Sequence, residues 1–146
     1  MKARILVSIL AVVFSIAILN AGNPKTTKYI NEEVTETSII KDYTFVNSET
    51  LKALHRITYT YDINGVIQER VYYKWDNEKG WIGIQKHTYE YNADNKVAYL
   101  IHTKWDQNNN NWSDNSEYLA HIYNQDGKYL TRESIQVNTN DLAEIK

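Results

Sequence analysis

A repeat with a period of about thirty residues dominates this sequence. TYTYDINGVI, residues 58–67, returns as TYEYNADNKV, residues 88–97, and in part as LAHIYNQDGKYL, residues 119–130. A chain that repeats over most of residues 58–130 is built from one supersecondary unit used several times, and each copy needs its neighbours to bury its apolar side chains.

The stretch between two copies alternates as a β-strand does. Ile67, Val71, Tyr73 and Trp75 share one side, where Glu69 is the one charged residue, and polar side chains dominate the other side. Residues that accept the positive φ of hairpin turns lie in three equivalent segments: Asp62 to Gly65, Asn92 to Asn95 and Asn124 to Gly127. Each repeat is therefore a strand, a short turn, a strand and a longer polar loop.

The predicted fold class is all-β, an antiparallel meander of repeated β-hairpins with about six or seven strands, either an open twisted sheet or a partly curled barrel. The predicted strands are 40–47, 51–61, 66–75, 81–91, 96–105, 112–123 and 128–137. The first of them is a candidate degenerate copy of the repeat. The predicted organisation is a signal peptide at 1–21, an exposed lead-in at 22–39, a β-hairpin repeat domain at 40–138 and a C-terminal tail at 139–146.

Residues 1–21 are typical of a secretory signal peptide. Lys2 and Arg4 precede an apolar run from Ile5 to Leu19, and Ala21 precedes the predicted cleavage point. The run of about fifteen residues is shorter than the roughly twenty that a spanning helix needs, which favours cleavage over the alternative of an uncleaved anchor. We therefore expect an exported chain with no membrane span after cleavage.

The composition of residues 22–146 argues against nucleic acids as partners and excludes disulfides as a source of stability. Without Lys2 and Arg4, 14 basic residues stand against 18 acidic ones, a net charge of −4 with no long block of either sign. Nucleic acids are bound mainly through clustered Lys and Arg, so no nucleic-acid partner is expected. The chain has no Cys and therefore no disulfides, and its 12 Tyr and 4 Trp favour a sheet with half-buried aromatic side chains.

Two tryptophans flank each copy of the longer polar loop. Hairpin geometry places each pair at or near cross-strand positions, where an aromatic pair stabilises a sheet by about 0.2–1 kcal/mol, so their default role is structural. Aromatic ring faces among amides and carboxylates are also what glycan-binding and protein-binding surfaces use. The candidate ligand-binding residues are Trp75, Trp81, Trp105, Trp112, Tyr73 and Tyr99.

Signatures of catalysis and of metal binding are absent from the sequence. The histidines lack metalloprotease spacing and no serine lies in a nucleophile elbow, so we predict no enzyme activity, no metal ligands and no cofactor. Two alternatives stay open. Carboxylates among Glu69, Glu90 and Glu117 could form a glycosidase pair rather than plain surface charges. The Asp- and Asn-rich turns could hold calcium rather than act as plain turns, although they lack a bidentate Glu.

The pattern Tyr-x-Tyr-[Asp/Asn]-x-[Asp/Asn]-[Gly/Asn], followed by Lys-Trp-Asp, a polar loop and another Trp, resembles a family of short secreted proteins of Bacteroides and its relatives. The resemblance covers roughly residues 40–137. It implies an exported all-β protein of a Gram-negative bacterium, located in the periplasm, at the cell surface or outside the cell. The function of that family is unknown, so the resemblance implies no activity and no catalytic residue. YTYDINGVI alone also resembles the tyrosine–aspartate repeats of large secreted shell proteins.

These observations predict a non-catalytic binding or interaction module with a protein or a glycan as ligand. The alternative is a structural envelope or secreted protein without a small-molecule ligand. An exposed, coplanar strip of Trp and Tyr would favour the first function, and burial of all four tryptophans the second. In either case an open meander has two free edges, so edge-to-edge self-association is also expected.

Overall fold

The computed structural model describes residues 25–138. The predicted signal peptide and the predicted C-terminal tail lie outside the described residues. Eight strands form a single sheet: β1 Thr26–Val34, β2 Ser38–Asn47, β3 Ala53–Asp62, β4 Ile67–Asp76, β5 Gly80–Tyr91, β6 Val97–Asp106, β7 Asn111–Tyr123 and β8 Tyr129–Asn138. Each strand pairs antiparallel with the next one along the chain, in the order β1 to β8. The all-β meander predicted from the sequence is confirmed, and the sheet stays open because β1 and β8 do not pair within the described residues.

The seven predicted strands correspond to β2–β8, and every boundary agrees within two residues. The first strand, β1, is additional, because Thr26–Val34 lies in the predicted exposed lead-in and pairs along its whole length with β2. As an edge strand it stays largely exposed, and Lys28, Glu32 and Glu33 interrupt the apolar alternation that marks the other strands. The sheet therefore has one strand more than the six or seven expected.

The three short turns have the same hydrogen bonds. In the first, the Gly65 amide donates to the Asp62 carbonyl at 3.0 Å, and Asp62 Oδ1 accepts from the Val66 amide at 2.8 Å. Asn92 and Asn124 occupy the equivalent positions in the other two turns and accept in the same way. The positive φ residues are Gly65, Asn95 and Gly127. Each turn thus uses one side-chain oxygen of its first residue in ordinary turn hydrogen bonds.

The three longer loops, at the opposite end of the sheet, also resemble one another. In each, a side-chain Oδ1 accepts from backbone amides two and three residues further on, and a residue with positive φ lies four residues further on. The accepting residues are Asn47, Asp76 and Asp106, and the positive φ residues are Leu51, Gly80 and Asn110. The β2–β3 hairpin is thus a third copy of the loop, which supports its interpretation as a degenerate repeat.

A β-bulge near each short turn changes which side the first residue of the next strand occupies. The register between β3 and β4 shifts between Thr60 and Tyr61, so Ile67 lies opposite Tyr61. Tyr61 stacks with Tyr59, on the side of the sheet away from Val71. The prediction that Ile67 shares a side with Val71 was therefore wrong, because a bulge adds one residue and reverses the alternation.

Candidate functional site

Each pair of tryptophans lies directly across its hairpin, as predicted. Trp75 is opposite Trp81 between β4 and β5, and Trp105 is opposite Trp112 between β6 and β7. The ring centroids are 5.1 Å apart at 76° in the first pair and 5.0 Å apart at 88° in the second, both edge-to-face arrangements. Trp75 is 37% exposed and the other three rings are half-buried. The tryptophans form neither a coplanar exposed strip nor a buried core.

Both pairs lie on the same face of the sheet. Val71 pairs with Lys86, and Lys86 pairs with Thr103, so these three side chains share a face. Trp75 follows Val71 by four residues and Trp105 follows Thr103 by two, and strand residues an even number apart point to the same side. We call this side the tryptophan face. It also carries all the buried side chains of the described strands: Val71, Ile101, Thr103, Ser116 and Ala120.

Gly83 lets the second tryptophan pair reach the backbone of β5. A Cβ atom at this position would lie 2.6 Å from Cε3 of Trp105 and 3.0 Å from Cη2 of Trp112. Only a residue without a side chain permits that approach. Since Trp81 belongs to the same strand, the two pairs meet around β5 although they belong to different hairpins.

A cation lies beside the second tryptophan of each pair. The Arg56 guanidinium carbon is 5.0 Å from the Trp81 ring centroid, and Lys86 Nζ is 5.2 Å from that of Trp112. Neither cation belongs to an ion pair within residues 25–138, and each gains a cation–π attraction of about 0.5–1 kcal/mol. Arg56 and Lys86 are thirty residues apart, the period of the repeat. That spacing marks the two cations as equivalent positions of the repeat, but it does not place them beside the tryptophans, and no such spacing marks Gly83.

An open cleft of about 380 Å³ lies between the β4–β5 loop and the β6–β7 loop. One tryptophan from each pair lines it, Trp81 from the first and Trp105 from the second. The other lining residues are Lys79, Ile82, Gln107 and Asn110. The cleft therefore combines two indole rings with an ammonium group and two side-chain amides.

The structure brings one of the two candidate tyrosines to the tryptophans. The Tyr73 ring centroid is 4.7 Å from the Arg56 guanidinium carbon, and burial raises the pKa of its hydroxyl. Tyr99 lies six residues before Trp105 on β6, about 20 Å along the strand, and its ring meets Tyr118 instead. Tyr73 is thus part of the cluster, and Tyr99 lies at the other end of the sheet.

The opposite side, which we call the histidine face, carries a row of polar side chains across the central strands. His87 and His102 stack with ring centroids 4.9 Å apart. Arg70 Nη2 lies 3.3 Å from His87 Nδ1, and burial, together with the positive charge of Arg70 and the neighbouring His102, lowers the pKa of His87. His102 Nδ1 is 3.7 Å from Glu117 Oε2. The row extends on the same face to β3 and β2, because Arg70 lies opposite Tyr59 and Tyr59 lies opposite Lys41.

The three carboxylates that could have formed a glycosidase pair do not converge. The cross-strand registers place Glu69 and Glu90 on the tryptophan face and Glu117 on the histidine face. The Ser134 hydroxyl donates to Glu117 at 2.7 Å, and that hydrogen bond, with His102, lowers the pKa of the Glu117 carboxyl. A carboxyl with a lowered pKa is unsuited to act as a general acid at neutral pH. Within residues 25–138, no group of three or more His, Asp or Glu could hold a metal ion.

Comparison with protein-family models and with curated proteins found no match. Among solved structures, the chain is similar to a DUF3836 family protein from Parabacteroides distasonis ATCC 8503, with 17% sequence identity and a TM-score of 0.36, covering 82% of this chain and 97% of that chain. The function of that family is uncharacterised. In the part of the chain that the structure describes, no helix has the length and apolarity needed to cross a membrane.

Proposed function

We propose that this chain is an exported, non-catalytic glycan-binding module, and that its ligand occupies the cleft between the β4–β5 and β6–β7 loops. The export part of the proposal rests on residues 1–21 and their signal-peptide pattern. The binding part rests on one observation: a hairpin of this kind closes its loop without a tryptophan pair, yet two of the three hairpins carry one.

The β2–β3 hairpin supplies that observation. Asn47 Oδ1 accepts the same backbone hydrogen bonds in this loop as Asp76 and Asp106 do in the two tryptophan loops, and a residue with positive φ again lies four residues later. At the base of this loop, however, Val46 lies opposite Ala53. The connection therefore forms with small aliphatic side chains, and closing the loop does not explain why the other two copies carry large aromatic ones.

The chemistry of the cleft suits a sugar. Indole rings such as those of Trp81 and Trp105 stack on the apolar C–H face of a pyranose, while amides and an ammonium group hydrogen-bond its hydroxyls. Gln107, Asn110 and Lys79 provide these polar groups around the rings. The volume of about 380 Å³ lies at the small end of the range of ligand sites, about 300–1,000 Å³. A short stretch of a glycan chain is the ligand that fits best.

A purely structural role is the second candidate, and the packing of the second pair favours it. Trp105 and Trp112 press on the backbone at Gly83, and Lys86 lies beside Trp112. These contacts strengthen a thin sheet in which none of the described large side chains is fully buried. Only glycan binding requires a ligand, so a binding measurement distinguishes the two candidate functions.

The experiment uses the chain without its predicted signal peptide, residues 22–146, on a glycan array, followed by titration of tryptophan fluorescence with any glycan retained. Trp81→Ala and Trp105→Ala should each abolish binding, since each removes one ring from the cleft. Tyr99→Ala is the matched control, because Tyr99 lies at the other end of the sheet and its loss should leave affinity unchanged. Absence of binding to any glycan, or binding that both tryptophan variants retain, would overturn the proposal and leave the structural role.

A further inference from the structure

We propose that copies of this chain join head to tail, the β8 edge of one copy adding to the β1 edge of the next so that the sheet continues from molecule to molecule. Within residues 25–138, β1 pairs only with β2 and β8 only with β7. No other described strand uses the outer backbone amides and carbonyls of β1 and β8, and such a row is the template for adding another strand.

Both edges carry exposed apolar side chains that a second copy would cover. Leu130 on β8 is 58% exposed and Ile135 is 48% exposed. Val34 on β1 is 50% exposed. Edge strands that are meant to stay free usually avoid such residues, so the exposed side chains on both edges point to pairing.

One antiparallel register uses the full length of both strands. It places Val34 of one copy opposite Leu130 of the next and continues to Thr26 opposite Asn138, the last residue of β8. The pair of Val34 and Leu130 joins the most exposed large apolar residue of each edge strand. A shift by two residues would leave residues unpaired at one end and separate Val34 from Leu130.

The backbone direction of β1 and the faces of both edge strands are also compatible with this register. The Ser48 amide donates to the Lys25 carbonyl and the Thr35 amide donates to the Ser38 carbonyl, both at 2.8 Å. The odd-numbered residues of β1 therefore direct their backbone groups toward β2, and the even-numbered ones direct theirs toward the open edge. The side chains of the even-numbered residues of β1, Glu32 among them, lie on the histidine face with Lys41 of β2. Arg132 and Gln136 of β8 share that face too, so the faces of the two copies agree.

The charges select head-to-tail pairing over a two-fold dimer through β1. In the proposed register Arg132, which has no ion pair in the described chain, lies opposite Glu32 of the next copy. Glu32 already pairs with Lys41 at 2.8 Å, and the arginine would extend that pair. A two-fold β1–β1 contact would set Lys28 opposite Glu32, but Lys28 already lies 5.5 Å from the Tyr43 ring, and the apolar residues of β8 would stay exposed.

Disulfide trapping tests the register, and because the chain has no native cysteine, only the introduced cysteines can form a disulfide. Glu33→Cys and Thr131→Cys would face each other across a non-hydrogen-bonded pair, with Cα atoms about 4.5 Å apart, within the range that a disulfide bridges. Mixing these two single variants of residues 22–146 should give an oxidised dimer. Asn31→Cys mixed with Thr131→Cys is the out-of-register control and should give much less. A dimer from Glu33→Cys with Thr27→Cys would show the two-fold contact and overturn the proposal.

Sedimentation of the unmodified chain tests assembly itself. A head-to-tail contact does not close on itself, so the weight-average mass should rise continuously with concentration, not stop at a dimer. Arg132→Glu, which sets like charges opposite each other, should weaken association by at least about tenfold. Lys52→Glu makes the same change of charge in the exposed β2–β3 loop and should leave association unchanged. A chain that stays monomeric at high concentration, or equal effects of the two variants, would refute the head-to-tail contact.

Discussion

Val46 lies opposite Ala53 at the position where the two later hairpins each place a tryptophan pair. The three loops above these positions nevertheless share their hydrogen bonds and their positive φ residue. The loop and the aromatic pair are thus separable parts of the hairpin, and the first prediction follows from that separation.

The double variant Trp75→Val with Trp81→Ala, which copies the β2–β3 hairpin into β4–β5, should keep the fold. We expect the free energy of unfolding to fall by about 2–4 kcal/mol, because the half-buried Trp81 ring and its contact with the Trp75 ring are both lost. The Asp76 loop should keep its backbone hydrogen bonds, which amide hydrogen exchange of Glu78 and Lys79 would show. Loss of cooperative unfolding, or rapid exchange at both amides, would mean that the rings are needed to form the hairpin.

Gly83→Ala should disturb the second tryptophan pair although neither tryptophan is substituted. The added methyl group would meet Trp105 at 2.6 Å, so the ring must move, at a cost of about 1–3 kcal/mol in the free energy of unfolding. Near-ultraviolet circular dichroism of the paired indoles should change as well. Gly65→Asn is the control, since Gly65 has open space around it and Asn95 holds the equivalent turn position with positive φ.

The buried hydroxyl pair of the tryptophan face gives a third prediction. Thr103 Oγ1 lies 2.7 Å from Ser116 Oγ, and the two residues are 5% and 2% exposed. Ser116→Ala should lower the free energy of unfolding by about 1–3 kcal/mol, because it leaves the Thr103 hydroxyl buried without its partner. Adding Thr103→Val should restore part of the loss. Urea unfolding of the two single variants and the double variant measures this coupling, and strictly additive effects would count against it.

The pKa of His87 predicts how stability depends on pH. Burial, the charge of Arg70 and the neighbouring His102 lower that pKa in the folded chain, so the unfolded chain takes up the proton first as the pH falls. The contribution of neutral His87 to the free energy of unfolding is fully present above the ordinary histidine pKa of about 6.5. It is lost as the pH falls toward and through the lower pKa of His87 in the folded chain. The free energy of unfolding should therefore decrease between about pH 7 and pH 5.

His87→Phe is the matched variant for that measurement, because it keeps a flat ring against His102 but cannot take up a proton. Its stability should decrease less between the same two pH values. Part of the dependence should remain, since burial also lowers the pKa of His55. An identical pH dependence in the variant and the parent chain would show that His87 does not contribute.

The features that the sequence predicted are those set by short-range chemistry. Strands β2–β8 follow from alternation, and the positive φ at Gly65 and Gly127 follows from the local need of a hairpin turn. The opposition of Trp75 and Trp81 follows from the same hairpin. Each of these depends only on residues a few positions apart.

The features that the sequence did not predict depend on neighbours across the sheet. The edge strand β1 has one paired side, so its alternation is weak, and Glu32 and Glu33 conceal it. The side occupied by Ile67 depends on a bulge that the pattern does not reveal. The roles of Arg56 and Gly83 arise only when rings from other strands reach them. Tyr99 shares a face with Trp105 but lies about 20 Å from it along β6, because alternation sets the face of a side chain and not its distance from the loop.

Each of the six connections of the β2–β8 region is closed by backbone hydrogen bonds to a single Asp or Asn at its start. Neighbouring short turns do contact each other, since the Lys96 ammonium donates to the Gly127 carbonyl at 2.6 Å. The hydrogen bonds that close each turn nevertheless come from residues of that turn. Duplication of a whole two-strand unit in the gene would therefore insert a ready-made hairpin and leave every existing connection intact. Proteins of this design can change in width by two strands at a time through recombination, whereas insertion of a single strand would reverse the direction of everything that follows.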